Sequence, residues 1–311
     1  MINLIHGDCM EIYPTIERSS IDLILCDPPY GTVKGIGKNT NHGMKNKTLW
    51  DMAIDPQKIF DLANHCLRKN GKIILFSQEP YTSQLIQSSF ENIDFCYRMV
   101  WKKDHFANCL LSKKAPVSYY EDVLVFYKKY ETIANHPLRL YFEKVLIYIN
   151  KSKSQISKIL NHTKSDHCFR IKSTQFSLCT KEVYQELKTV FNIDKMDDFM
   201  DWNDLDKIDQ TFKSTFNLPK GAKYKSNILE YSKDYDGFHP TQKPVKLLED
   251  LIQTYSNEGD KILDFTMGSG STGVGCLNLN RDFIGIEKDP KYFEIAKDRL
   301  ERHQLQLQLP W

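Results

Sequence analysis

The sequence predicts an α/β protein, a doubly wound, mostly parallel sheet (a Rossmann-like fold) carrying a helical insertion. Three observations support this. Short apolar runs of strand length alternate with amphipathic helical stretches in both the first and the last part of the chain. A glycine-rich turn, with Gly268, Gly270 and Gly273 spaced G-x-G-x-x-G, falls between a predicted strand and a predicted helix. The middle of the chain shows helical spacing without strand alternation.

IDLILCD (21–27) is a nearly continuous apolar run, as expected of a parallel strand covered on both faces. A helix is predicted around 57–68, ended by Asn70-Gly71, and KIILFS then repeats the strand pattern. DFCYRMVWKK (94–103) and DVLVFYKK (122–129), rich in β-branched and aromatic residues, read as further strands. LRLYFEKVLIYI, SQISKIL and TKEVYQELKTVF follow as short helices broken by polar turns. From about 243 the alternation returns. VKLLEDLIQTY is helical, KILDFT a strand, STGVGCLNL a helix, RDFIGIE a strand, and PKYFEIAKDRLERH a last helix with Pro290 in its first turn. The resulting division is 1–130 for the first half of the sheet domain, 131–230 for the insertion and 231–311 for the second half.

Composition narrows the function classes. With 311 residues, 41% of them hydrophobic, the chain is no disordered polymer. No apolar run approaches the roughly 20 residues that span a bilayer, and MINLIHGDCMEIYP lacks the basic-then-apolar pattern of a secretory signal. Eight cysteines without a C-x-x-C pair argue against a disulfide framework or a zinc site and for a reducing compartment. His162, His167 and Cys168 lie close in HTKSDHC, but no second ligand pair follows, so no metal is expected. Net charge is only +2, yet residues 139–181 carry nine Lys/Arg against two Asp/Glu, and residues 182–209 carry three against nine. A basic block beside an acidic one fits a face built for a polyanion.

Two motifs carry chemistry. In the glycine turn, the missing Cβ atoms allow a tight strand-to-helix connection against a ligand, and Glu287, nineteen residues after Gly268, ends the next strand where it can accept from both hydroxyls of a ribose. Asp264, directly before the loop, suits a cationic group. This pattern fits an adenosyl cofactor without separating a dinucleotide from S-adenosylmethionine. The second motif is Asp27-Pro28-Pro29-Tyr30, at the carboxyl end of the 21–27 strand. The prolines fix the backbone and remove competing N–H groups, so a carboxylate and a rigid carbonyl can together accept both hydrogens of an exocyclic amine. Tyr30 offers a flat face for a base.

Together these motifs resemble the amino-methylating DNA methyltransferases (N6-adenine and N4-cytosine), in the permuted β arrangement that sets the catalytic tetrad before the variable region and the cofactor loop last. The resemblance implies S-adenosylmethionine as cofactor, with Asp27, Pro28, Pro29 and Tyr30 catalytic. It further implies that Asp8, Lys243 (in His239-Pro240-Thr241-Gln242-Lys243-Pro244), Asp264, Phe265, Gly268, Gly270 and Glu287 hold that cofactor. Phe76-Ser77 matches the end of the strand after the catalytic one. The loop departs from the family's D-P-F-x-G-S-G-T-T: here Phe265 stands one place early and Thr266 occupies the aromatic position. An aspartate in the tetrad resembles the adenine branch more than the cytosine-N4 branch.

Adenine N6 is paired and stacked in a duplex, so the base must be extruded at a cost of a few kcal/mol. The glycine-rich basic segment 31–50 (Lys34, Lys38, Lys45, Lys47) is expected to close over DNA and cofactor. The insertion is expected to recognise the target, with Lys151, Lys153, Lys158 and Arg170 on phosphates of double-stranded DNA in a diverged helix-turn-helix. The resemblance implies a cytoplasmic enzyme of a bacterium or phage-infected cell, and admits a cognate restriction enzyme or a second copy of the chain as further partners. The competing readings are a cytosine-N4 methyltransferase, an NAD-dependent oxidoreductase and a DNA-binding protein without chemistry.

Overall fold

The computed structural model describes residues 1–31, 52–88, 91–107, 113, 116–130, 136–234 and 242–308. The chain forms two compact units, one of Met1–Lys129 with Thr215–Trp311 and one of Tyr130–Ser214. The insertion is therefore shorter at its end than the sequence implied. Residues 215–230 group with the first unit, where a three-residue strand, too short to show a period, joins the sheet.

The first unit holds β1 (Ile2–His6), β2 (Ile21–Cys26), β3 (Leu67–Ser77), β4 (Ile93–Ala107), β5 (Ser118–Lys128), β6 (Ile228–Glu230), β7 (Lys261–Asp264) and β8 (Asp282–Glu287). They lie in the order β1-β8-β7-β2-β3-β5-β4-β6. Among these strands only β5 runs antiparallel to its neighbours; the other pairings are parallel. Strand β2 shows why this sheet is covered on both sides. Ile24 and Cys26 join one buried layer and Leu23 and Leu25 the other. The first layer is closed by α1 (Cys9–Ile12), α2 (Pro56–Cys66) and α3 (Tyr81–Gln87), with Ile59, Phe60 and Ala63 fully buried.

Helix α2 starts where Asp55 caps Gln57 N at 3.0 Å and Pro56 takes the first position. It stops at Cys66, two residues before the predicted end. Asn70-Gly71 is not a helix stop but a bulge inside β3, since Ile21 pairs with Leu67 and Leu23 with Lys72. Asn70 adopts φ +64°, and a Cβ on Gly71 would lie 2.9 Å from the Arg68 carbonyl.

The carboxyl ends of β1, β8, β7 and β2 share one edge. His6 is in register with Glu287, and Asp264 with Gly285. The chain leaves β2 toward β3 and leaves β7 toward β8, in opposite directions, so a crevice opens between the adjacent ends of β2 and β7.

In the second unit α4 (Leu138–Ile149), α5 (Lys153–Leu160), α6 (Lys181–Phe191) and α7 (Trp202–Thr211) surround Phe142, Ile156, Tyr184, Leu187 and Leu205. Helix α5 opens with a Ser152–Gln155 capping box and ends at Asn161, φ +57°. The expected second helix of a helix-turn-helix is not there. Residues 162–173 run as successive turns, with Asp166 N bonded to Thr163 O and Arg170 N to His167 O. Burial of Cys168 and Phe169, and an Asp166 carboxylate drawn onto Ser157 at 2.7 Å, pull this stretch into the core. His162 Nε2 pairs with Glu186 at 2.7 Å, while the Cys168 thiol donates to the Ser165 carbonyl.

The remaining helices, α8 (Val245–Tyr255), α9 (Ser271–Asn278) and α10 (Pro290–Gln308), cover the other face of the sheet with Leu247, Leu251, Val274 and Leu300. Among the described residues no helix is long and apolar enough to cross a membrane.

Candidate active site

Asp27 leaves β2 into the crevice, its side chain 27% exposed. The Tyr30 hydroxyl donates to one carboxylate oxygen, and the Lys243 ammonium meets the other. Burial lifts the Asp27 carboxyl above the usual carboxylate range; Lys243 opposes this lift and Glu121 adds to it. The Asp27 carbonyl is already engaged, accepting from the Thr266 hydroxyl at 3.1 Å. The Pro28 carbonyl is a further main-chain acceptor of this proline-fixed turn. Tyr30 packs against Tyr81, ring centroids 6.3 Å apart.

Across the crevice the glycine loop leaves β7. Gly268 has φ +54°, and a Cβ there would meet nothing within 4 Å, so its backbone faces open space. Gly273 has the opposite role. A Cβ would strike Phe283 at 2.8 Å and Leu300 at 2.9 Å, so the glycine lets α9 sit close on the sheet. Glu287 at the end of β8 accepts from Gly268 N at 2.9 Å and Asp289 N at 2.8 Å, which aims its carboxylate along the loop. Burial raises the Glu287 pKa. Asp8, at the end of β1, caps Met10 N at 2.9 Å and pairs with Lys288 at 2.8 Å. An acid at each of two neighbouring strand ends, beside an open glycine backbone, fits the ribose and base of an adenosyl group.

Asp264 lies deeper than the sequence suggested. It accepts from Thr272 Oγ1 at 2.6 Å and Thr266 N at 3.2 Å, and burial pushes its pKa up to about 6. Phe265 needs correction. Its ring is 1% exposed within the first buried layer, because the residue after a strand ending in buried Asp264 continues the strand's alternation into the core. It therefore presents almost no surface to the crevice in which a cofactor would lie. Thr266, in the place where the family has its aromatic, turns back to β2. The buried Cys26 thiol, its pKa raised well up by that burial, stays protonated and lies 2.9 Å from Thr266 Oγ1, while the threonine hydroxyl donates to the Asp27 carbonyl.

Lys243 also stands elsewhere than expected. Placed by analogy on the cofactor, its side chain is 7% exposed and bonds Asp27, with Glu121 Oε2 at 3.1 Å. Lys103 Nζ lies 2.5 Å from the other Glu121 oxygen. Two cations and two anions thus alternate in one chain, buried except at its Asp27 end. Glu121, Lys103 and Thr266 escaped the sequence reading. The one available signal was an acid opening an apolar strand in YYEDVLVF. The segment with Lys34, Lys38, Lys45 and Lys47, and His239-Pro240-Thr241, fall outside the described residues. Lys151, Lys153, Lys158 and Arg170 all lie in the second unit, on or beside α5 and the turns after it.

An amine-gripping turn and an adenosyl-type loop meeting at the switch point of a doubly wound sheet define an α/β enzyme of group transfer to nitrogen. The DNA methylase family model matches residues 21–298, and the chain belongs to that family. The Type II methyltransferase M.HpaI of Haemophilus parainfluenzae is 24% identical over 306 residues, spanning 96% of this chain and 74% of its own. The DNA adenine methyltransferase YhdJ of Escherichia coli (strain K12) is 26% identical over 312 residues, spanning 96% and 82%. Among solved structures, the M1.HpyAVI–SAM complex superposes with a TM-score of 0.55 at 22% identity, covering 96% of this chain and 99% of that one.

Proposed function

We propose that the protein transfers a methyl group from S-adenosylmethionine to the N6 amine of an adenine extruded from double-stranded DNA. The observation that carries this reading is the tie between the two halves of the site. Thr266 belongs to the loop that would hold the methyl donor, and its hydroxyl fixes the turn that would hold the amine.

When bound, S-adenosylmethionine supplies a methyl group on a positively charged sulfur. Glu287 and Asp8 would accept from the adenosyl hydroxyls and ring amine, and the Gly268 backbone leaves room for that group. Asp27 and the Pro28 carbonyl accept the two hydrogens of the base's amine. This grip turns the nitrogen lone pair out of conjugation and toward the loop, which matters because an aromatic amine is a poor nucleophile. The carboxylate also offsets the positive charge that grows on nitrogen. Asp27 is partly exposed, so the surplus proton leaves to water past it. Tyr30 holds the base by its face.

The tetrad's aspartate, and the likeness to an adenine methyltransferase, support adenine over cytosine. The second unit, with its basic block at 139–181, serves target recognition. The enzyme acts in the cytoplasm, alone or beside a cognate restriction enzyme. Incubation of DNA with methyl-labelled S-adenosylmethionine, followed by nucleoside analysis, tests the reading. Label is expected in N6-methyladenine and lost in Asp27→Ala; label in N4-methylcytosine would overturn the choice of base.

A further inference from the structure

We infer that Lys243 is the counter-ion of the catalytic carboxylate rather than a cofactor ligand, and that Glu121, braced by Lys103, is the arm that holds it there. The inference rests on the reading that Asp27 accepts the base's amine.

The geometry is specific. Lys243 reaches Asp27 and Glu121 at once, its ammonium 3.1 Å from Glu121 Oε2. It also lies 5.1 Å from the centre of the Phe76 ring and 5.9 Å from that of Tyr30. Those ring faces, with the carboxylates, surround a cation that is 7% exposed. Lys103 occupies the other Glu121 oxygen and lies 5.3 Å from the centre of the Trp101 ring. Glu121 therefore cannot swing away without stranding two buried ammonium groups, a costly outcome in a low-dielectric site. Register fixes the arm itself, because Glu121 of β5 stands opposite Trp101 of β4, two residues before Lys103.

The chemistry explains why such an arm is useful. Buried and next to Glu121, Asp27 tends to hold a proton, and a protonated acid would present a donor to the amine. Besides Glu121, the described groups that face Asp27 are Tyr30, Cys26, Asp264 and Lys243. The first three either carry no positive charge or add negative charge, and Lys243 is the one cation among them. The ammonium keeps the carboxylate charged. It also makes it a weak base, so Asp27 orients the amine rather than stripping it. Burial would lower the Lys243 pKa, but Asp27 and Glu121 together raise it, so the cation persists across the working range.

The test uses the whole protein with DNA and S-adenosylmethionine. In Lys243→Met, methylation at neutral pH should fall at least about tenfold, and the acid limb of the kcat/KM profile should move about one pH unit or more upward. Cofactor affinity by calorimetry should stay within about threefold. Lys243→Arg should return the limb toward its original position. An acid limb that does not move overturns the inference, whatever happens to affinity. The pairing is also read without turnover. The ¹⁵Nζ resonance of Lys243 in labelled protein should move in Asp27→Asn and in Glu121→Gln, but not on adding cofactor alone. A resonance that ignores Asp27→Asn and follows the cofactor contradicts the assignment. Because this signal needs no catalysis, it separates failure of the pairing from failure of the methylation reading.

Discussion

The Thr266 hydroxyl donates to the main-chain oxygen of Asp27 at 3.1 Å, joining the glycine loop to the Asp27–Tyr30 turn across the β2–β7 boundary. Two segments 239 residues apart in sequence are thereby held to one another, with the Cys26–Thr266 contact at 2.9 Å beside this bond. Thr266→Val should lower kcat by about 10- to 100-fold, the range expected when a reacting group is misplaced by a fraction of an ångström to one ångström. Cofactor affinity should hardly change, and Thr266→Ser should restore most of the rate. Single-turnover methylation of a DNA duplex checks both variants; equal losses for valine and serine would mean that volume, not the hydrogen bond, matters.

Glu287 spends one oxygen on Gly268 N and the other on Asp289 N, which leaves its remaining lone pairs fixed in direction. Glu287→Gln should weaken S-adenosylmethionine binding about tenfold or more, since hydrogen bonds to a charged group carry about 1.5–3 kcal/mol. The rate at saturating cofactor should be nearly preserved. Burial raises this carboxyl's pKa, and the ionised form is the better acceptor. Wild-type affinity should therefore fall as pH drops through that raised pKa, and the glutamine variant should lack this dependence. Calorimetry across pH measures it.

Asp264 is a buried acid whose pKa rises from 3.8 to about 6, through burial first. A pKa raised on folding means that the folded state binds the proton more tightly. This group's contribution is therefore fully present below pH 3.8 and lost as pH rises through about 6. Two pKa units correspond to about 3 kcal/mol as an upper figure. Asp264→Asn should thus be the more stable protein at pH 8, with the difference from wild type shrinking toward pH 4, while activity falls. Urea unfolding at several pH values gives the answer; a constant difference would show that Asp264 is not the buried, neutralising group inferred.

The basic block of the second unit makes a separate claim. Replacing Lys151, Lys153 and Lys158 together should weaken DNA binding. It should also reduce the slope of log affinity against log salt by about 0.9 for each phosphate that the protein no longer neutralises. Cofactor binding, which the proposed site assigns to the other unit, should be unaffected. A salt slope equal to that of wild type would remove these lysines from the DNA interface.

What the sequence revealed, and what it hid, follows from the range of the interactions. IDLILCD, KILDFT and RDFIGIE were legible because a strand buried on both faces must be apolar throughout. The tetrad and the glycine loop were legible because each is contiguous and its backbone demands proline or glycine. Asn70-Gly71 misled, since a left-handed asparagine beside a glycine ends a helix as readily as it bulges a strand. The three-residue β6 has no period to read, and α7, WNDLDKIDQT, shows only a thin apolar stripe. Side chains that act through partners far along the chain were invisible. Lys243 meets Asp27 across 216 residues, and Lys103 finds Glu121 only through the β4–β5 register.

The most direct test is a crystal structure with a cofactor analogue and a DNA duplex bearing the target adenine. Asp27 and the Pro28 carbonyl should both hold the extruded amine, with its nitrogen about 3–3.5 Å from the position of the transferable methyl, as a near-attack geometry requires. An adenine left stacked in the duplex, or an amine seated away from Asp27 with the analogue bound elsewhere than between Gly268 and Glu287, would contradict the account.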